Sequence, residues 1–232
     1  VSEEISMLAA RLVRRLKREQ WSLSVAESCT GGLLASVFTD IAGASDWFSQ
    51  GWVTYSNEAK IAQLGVNAET LEKKGAVSHS IALDMAKGAQ RASGGQVSIS
   101  ITGIAGPTGG LENKPVGTVY VAVCIDESYL VRKGEFGGAD RVSNKHSFVI
   151  FAMQKAIEAW DARFGRIESH RLATEAAEGE AVQLKLSQAL ASLNPNLDSW
   201  QDGAEWVADK VATTLEEQGK DALGTDVDWS EE

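Results

Sequence analysis

The chain has 232 residues, 44% of them hydrophobic, which is enough for one substantial core with material left over. Its formal charge of −10 is unevenly placed: residues 1–165 carry 17 Lys and Arg against 17 Asp and Glu, and residues 166–232 carry 5 against 15. A balanced main part with an acidic end lacks the basic face that nucleic acid requires, two cysteines make neither a disulfide framework nor a CxxC metal site, and no apolar run approaches the ~18 residues of a membrane span.

Residues 2–19 place Ile5, Leu8, Ala9, Leu12, Val13 and Leu16 at i, i+3, i+4, i+7, i+8 and i+11, the spacing of a helix with one apolar stripe. Its charged positions, Arg11, Arg14, Arg15, Lys17 and Arg18 among them, exclude a secretory leader, so a soluble cytoplasmic protein is expected. The apolar run Leu23–Ala26 reads as a strand and leads into Ala26-Glu27-Ser28-Cys29-Thr30-Gly31-Gly32. A helical pattern follows, with Leu33, Leu34, Val37, Phe38 and Ile41, and stops at Gly43. At such a junction the first helical N–H groups have no carbonyl partner. Thr30, Gly31 and Gly32 can therefore offer donors to an oxyanion or phosphate with Ser28 at the mouth. The residues fit a second reading equally: Ser28 and Thr30 as N-caps, the glycines as a tight turn.

Trp47–Tyr55 is rich in aromatic and β-branched residues and reads as a strand, with Gly51 a candidate bulge. Asn57 then caps a helix and puts Lys60 at its third position, where a positive charge opposes the helix dipole. Lys60 is either a solvated surface lysine or a local choice with a functional reason. Gly65 and Gly75 bracket a short helix, and Ser78 caps a longer one with Ile81, Met85, Ala89 and Ala92 on one face. Val97–Ile101 alternates apolar residues with serine, a strand that runs into the glycine-rich loop Thr102–Gly110. That loop lacks the ending of a P-loop and does not fit GxGxxG. It either brings backbone N–H groups close to a ligand or is a flexible connection closed by Lys114 and Pro115.

Val116–Ile125 and Tyr129–Phe136 read as a hairpin joined through Asp126-Glu127-Ser128, with Cys124 in the core. Ala139–Phe164 reads helical, with Val142, Phe148, Val149, Ala152, Met153, Ala156, Ile157 and Trp160 largely on one side. Arg141 and Lys145, one turn apart, either meet a phosphate or form a solvated face. Alternating helices and strands with one hairpin predict a three-layer α/β/α sandwich with a mixed, mostly parallel sheet of about five strands. Ser28, Tyr55, Lys60 and the Thr102–Gly110 loop all follow strand ends, where ligands of such sheets gather.

Five stretches, AESCTGG (26–32), VTYSNEAK (53–60), ITGIAGPTGG (101–110), KPVGTV (114–119) and the pair Asp140-Arg141, resemble the C-terminal domain family of the competence/damage-inducible protein CinA, which includes stand-alone nicotinamide-nucleotide amidases. The resemblance runs from about Ser6 to Phe164. It implies an α/β/α domain, homodimeric, that hydrolyses the carboxamide of nicotinamide mononucleotide to nicotinate mononucleotide and ammonia, without cofactor. It further implies Ser28 as nucleophile, Lys60 as its base and Tyr55 as their assistant. For the nucleotide and the oxyanion it points to Thr30, Gly31, Gly32, Thr102, Gly103, Ala105, Gly106 and Arg141. The family commonly carries a second arginine four residues after the first, where this chain has Lys145. Cys29 is the poorer nucleophile, because no histidine is placed to help it, and His79, His146 and His170 have no metal-ligand spacing.

From Arg166 onward nothing resembles that family, so two parts are expected, residues 1–165 and an acidic helical extension over 166–232. Val182, Leu186, Ala189, Leu190 and Leu193 keep one helical stripe and Val207, Val211 and Leu215 another, with Asn194-Pro195-Asn196 as the turn between them. Trp200, Trp206 and Trp229 make the extension too aromatic for a purely solvating tail, and an acidic end over Asp226–Glu232 is expected to be disordered or a contact strip. The alternative to an amidase is a non-catalytic module of the same fold that binds a protein partner through this extension.

Overall fold

The serine alternation in Val97–Ile101 explains the layering. The computed structural model describes residues 3–138 and 140–193, and in it Val97, Ile99 and Ile101 of β3 (Val97–Gly103) join one core with α1 (Glu3–Glu19), α2 (Leu33–Thr39) and α6 (Arg141–Leu193). Ser98 and Ser100 point the other way, to α5 (His79–Ser93), and their buried hydroxyls donate to Ala86 O at 2.7 Å and Ala82 O at 2.6 Å. Small side chains let that helix lie close to the sheet, and the hydroxyls find acceptors there, so their burial carries no unmet hydrogen-bonding cost.

The sheet has the order β2-β1-β3-β4-β5, with β1 at Leu23–Glu27, β2 at Phe48–Val53, β4 at Thr118–Ile125 and β5 at Ser128–Glu135. β1 pairs in parallel with both β2 and β3, and β4 pairs antiparallel with β3 and β5, so four strands point one way and β4 alone runs against them. Its second face is covered by α5 together with α3 (Asn57–Leu64) and α4 (Ala68–Lys74). This is the expected α/β/α sandwich. The α3 helix is set down on α5 at Gly88, where a Cβ would stand 2.0 Å from Leu64 O. Only a glycine admits that approach.

The apolar stripe of α1 is buried as its spacing predicts, from Ile5 to Leu16. Several expectations shift. Ser56 rather than Asn57 caps α3, its hydroxyl accepting from Ala59 N–H at 3.1 Å, so Lys60 occupies the fourth helical position. The register slips between Leu23 and Ser24, whose partners are Phe48 and Gln50, so the bulge falls at Ser49 and not at Gly51. Gly51 is instead a packing site, facing Val25 and Ala35. Ser78 opens α5 without a side-chain cap and donates to Gly75 O. Ala92 and Val142 are exposed, and Ala82 and Ala86 complete the buried face of α5.

The last helix does not stop at Phe164. It runs as one helix to Leu193, because residues 166–193 are dominated by Ala, Glu, Leu and other good helix formers, with Gly179 and no proline among them. The chain divides into two compact units, Val1–His170 and Arg171–Glu232. Of the expected stripe in the second unit, Val182 is exposed. The turn at Asn194-Pro195-Asn196, the stripe at Val207, Val211 and Leu215, the three tryptophans and the acidic end lie outside the described residues. Among the described residues no helix is long and apolar enough to cross a membrane.

Candidate active site

The parallel pairing of β1 with β2 and β3 ends on one row, Val53, Glu27 and Ile101, and the hydrogen-bond ladder continues one step beyond it. Ser28 N–H donates to Ile101 O at 3.0 Å and Thr54 N–H donates to Glu27 O at 2.9 Å. Ser28 and Thr54 are therefore placed by main chain, at the carboxyl edge of the sheet where such folds bind ligands. Between Ser28 and α2 the chain turns through Gly31 and Gly32, both with positive φ. This turn aims the first N–H groups of α2 back at the strand, and they are met there by Glu27. Its wholly buried carboxylate accepts from Gly32 N–H at 3.1 Å, Leu34 N–H at 3.1 Å and Ala35 N–H at 2.8 Å. Gly31 N–H donates to Ser28 O at 3.1 Å. The glycine donors are thus committed inside the turn. The N–H groups of Cys29 and Thr30 have no acceptor on another of the described residues.

Lys60, in the first turn of α3, is 1% exposed and puts its Nζ 3.1 Å from Ser28 Oγ, which is itself on a residue only 9% exposed. The same nitrogen donates to Thr54 O at 2.8 Å and to Tyr55 O at 3.2 Å. Burial pushes its pKa below the ordinary lysine value, partly countered by the Glu58 carboxylate. A neutral amine has two N–H bonds and one lone pair. Were Lys60 in that form, the two carbonyls would take the N–H bonds and the lone pair would face the Ser28 hydroxyl. The neighbouring thiol of Cys29 is buried and its pKa is pushed up to about 12, mainly by that burial. It is a protonated packing group, which removes the reading of Cys29 as nucleophile.

The rim is built differently. Tyr55 is 59% exposed, and its hydroxyl accepts from Arg141 at 2.5 Å, while a second Arg141 N–H donates to Gly106 O at 2.8 Å. The tyrosine side chain reaches the arginine, and only its backbone carbonyl touches Lys60. One turn along α6, buried Asn144 donates to Ala105 O at 3.0 Å, so the glycine-rich loop is held at two adjacent carbonyls. Lys145 follows, its Nζ 3.8 Å from where a Cβ on Gly31 would stand. The Thr102 hydroxyl donates to Ala76 O at 2.9 Å, and a Cβ on Gly103 would stand 2.8 Å from Thr118 O. Thr30 is fully buried, its hydroxyl without a partner among the described residues. No group of three or more His, Cys, Asp or Glu among the described residues is arranged to hold a metal ion.

Sequence reasoning had no role for Glu27, Thr54 or Asn144. The carboxylate alone left a signal, as an acidic residue closing an apolar strand and followed by two glycines and a helix start.

Comparisons with known proteins agree with the fold. The model of the CinA C-terminal domain matches residues 5–160. Nicotinamide-nucleotide amidohydrolase PncC of Escherichia coli (strain K12) is 44% identical over 151 residues, 65% of this chain and 92% of the relative. The CinA-like protein of Kosmotoga olearia is 46% identical over 142 residues, 61% of this chain and 34% of that protein. Among solved structures, the competence/damage inducible protein CihA from Agrobacterium tumefaciens superposes with a TM-score of 0.67 at 40% identity, covering 68% of this chain and 96% of that one. A CinA superfamily protein from E. coli gives 0.64 at 34% identity, covering 68% and 92%. With the matched model spanning well over half of its residues, the chain belongs to the CinA C-terminal domain family.

Proposed function

We propose that this protein hydrolyses the carboxamide of nicotinamide mononucleotide to nicotinate mononucleotide and ammonia through an acyl-enzyme on Ser28. The observation that carries the reading is the sealed contact between Lys60 Nζ and Ser28 Oγ at 3.1 Å. Relatives named nicotinamide-nucleotide amidohydrolase, matched over 92% of their length, supply the substrate.

Neutral Lys60 takes the Ser28 proton as Oγ bonds to the carboxamide carbon, giving a tetrahedral oxyanion. The N–H groups of Cys29 and Thr30, for which no other described residue supplies an acceptor, are assigned to that oxygen, each such donor typically worth ~10² to 10³ in rate. The ammonium of Lys60 protonates the departing nitrogen, the C–N bond breaks and ammonia leaves an ester on Ser28. Water then loses a proton to Lys60 and attacks the ester, the carbon–Oγ bond breaks, and Ser28 regains its proton. Arg141, Lys145 and the loop at Ala105 and Gly106 are assigned to the phosphate and ribose. Tyr55 holds Arg141 in place for them. A homodimer belongs to the same reading, and sedimentation of the full chain tests it.

The experiment is ammonia release from nicotinamide mononucleotide by the full chain. Release by the wild type, lost in Ser28→Ala and Lys60→Ala with melting curves retained, supports the reading. A folded wild type inert towards a panel of amidated nucleotides sinks it.

A further inference from the structure

Glu27 is a fully buried carboxylate for which the mechanism above has no use. It makes no ion pair among the described residues, and its charge is met by three backbone N–H groups instead. Both oxygens are engaged: Oε2 by Gly32 and Leu34, Oε1 by Ala35. Its own carbonyl accepts from Thr54 N–H, and the Thr54 carbonyl accepts from Lys60 Nζ. One residue therefore ties down both partners of the reactive contact. Its side chain closes the turn that carries Ser28, and its main chain fixes the strand end that holds Lys60.

We infer that Glu27 is a positioning residue for the Ser28–Lys60 pair, setting their spacing by clamping the first turn of α2 against the end of β1. The inference rests on the serine–lysine reading proposed above. It goes beyond stabilisation, because an ordinary cap holds a helix end whereas this clamp holds the turn on which the nucleophile stands. The clamp also explains why the α2 N-terminus offers no phosphate site: an internal carboxylate already fills it.

Glu27→Gln keeps size and removes charge. Whichever way the amide is turned, its NH₂ faces N–H groups that now meet an oxygen, so the clamp must loosen. A shift of Ser28 by the order of 1 Å costs about 10²-fold in rate. Water admitted beside Lys60 would also relieve the burial that lowers its pKa.

The test uses a fluorophosphonate, which reports Ser28 reactivity without the nucleotide, on the full chain over a range of pH. Glu27→Gln is expected to slow labelling of Ser28 about 10²-fold and to move its pH midpoint upward. Asn67→Ala removes the cap of α4, whose Oδ1 accepts from Thr70 N–H at 2.7 Å, and is the control: a lower Tm with labelling unchanged. Should Glu27→Gln not fold, Glu27→Asp takes its place, since a carboxylate one methylene shorter cannot span the same three donors. A labelled wild type with a folded variant labelled equally at every pH overturns the inference alone. Failure of both variants to fold makes Glu27 a residue of folding and overturns it as well. An unlabelled wild type overturns the serine–lysine reading, and the inference with it.

Discussion

The centre and the rim of this site are held by opposite means. Ser28 and Lys60 are sealed and fixed by main-chain groups, the ladder beyond the Val53–Glu27–Ile101 row and the carbonyls of Thr54 and Tyr55. Tyr55 and Arg141 are exposed and held by side chains, the guanidinium bridging the phenol and Gly106 O. The proton transfer proposed for this pair would need fixed spacing and a desolvated amine, which the strand ends and their carbonyls provide. A rim that admits a charged ligand needs donors to spare, and an arginine with five N–H groups has them after two are engaged.

The largest effect should come from the centre. Lys60→Met is expected to lower kcat about 10²- to 10⁴-fold, the usual worth of a general base, with little change in KM. The same variant is expected to be more stable than the wild type. Burial lowers the folded pKa of Lys60 below its unfolded value, so the unfolded chain binds the proton more readily. The penalty is complete below the folded pKa, shrinks as pH rises, and vanishes above the unfolded value. The gain in Lys60→Met, read from urea unfolding, should therefore be largest at low pH and fade towards alkaline pH, while wild-type kcat/KM rises with pH across the depressed pKa. A gain that grows with pH would mean that Lys60 is not desolvated.

Gly88→Ala tests how the centre is supported from outside. The new methyl would meet Leu64 O at 2.0 Å, which forces α3 off α5 and carries Lys60 with it. A stability loss of about 1–3 kcal/mol is expected, together with a fall in kcat that KM does not share. Loss of stability with kcat intact would show that α3 can shift without moving the amine.

How much of this was legible follows from how each residue is held. Residues in periodic patterns were readable: the stripe from Ile5 to Leu16, the alternation of Val97–Ile101, the strand ends carrying Ser28 and Tyr55. Their partners are neighbours in a regular lattice, and spacing encodes the lattice. Gly88 was not readable, because a glycine within an amphipathic helix gives no sign of which backbone approaches it. Glu27 looked like the polar end of a strand, since its donors come from residues five to eight positions later that only the turn brings back. Asn144 reaches Ala105 across 39 positions, and no local pattern records that. The apolar stripe that marks the final helix has its last member at Trp160, whereas the helix continues to Leu193 on composition that favours helix.

At the rim, Arg141→Ala is expected to raise KM about 10- to 100-fold with kcat nearly unchanged, the loss of hydrogen bonds to a charged group at about 1.5–3 kcal/mol. Melting should hardly move, because the guanidinium reaches only an exposed phenol and one loop carbonyl. A fall in kcat instead would place Arg141 at the reacting carboxamide and not at the phosphate.

The smallest effect separates the two rim cations. Lys145 stands one turn after Arg141, half-buried, with its ammonium beside Gly31. An ammonium offers a phosphate a point charge, whereas a guanidinium offers a planar fork that binds two oxygens at once. Lys145→Arg should therefore lower KM, but only by the difference between two cations at a partly solvated position, about 0.5–1 kcal/mol. The change should shrink in high salt, as a screened interaction does, and should leave labelling of Ser28 untouched at every pH. A rise in KM would mean that the turn at Gly31 leaves no room for the fork, and that the lysine is the cation this rim is shaped to hold.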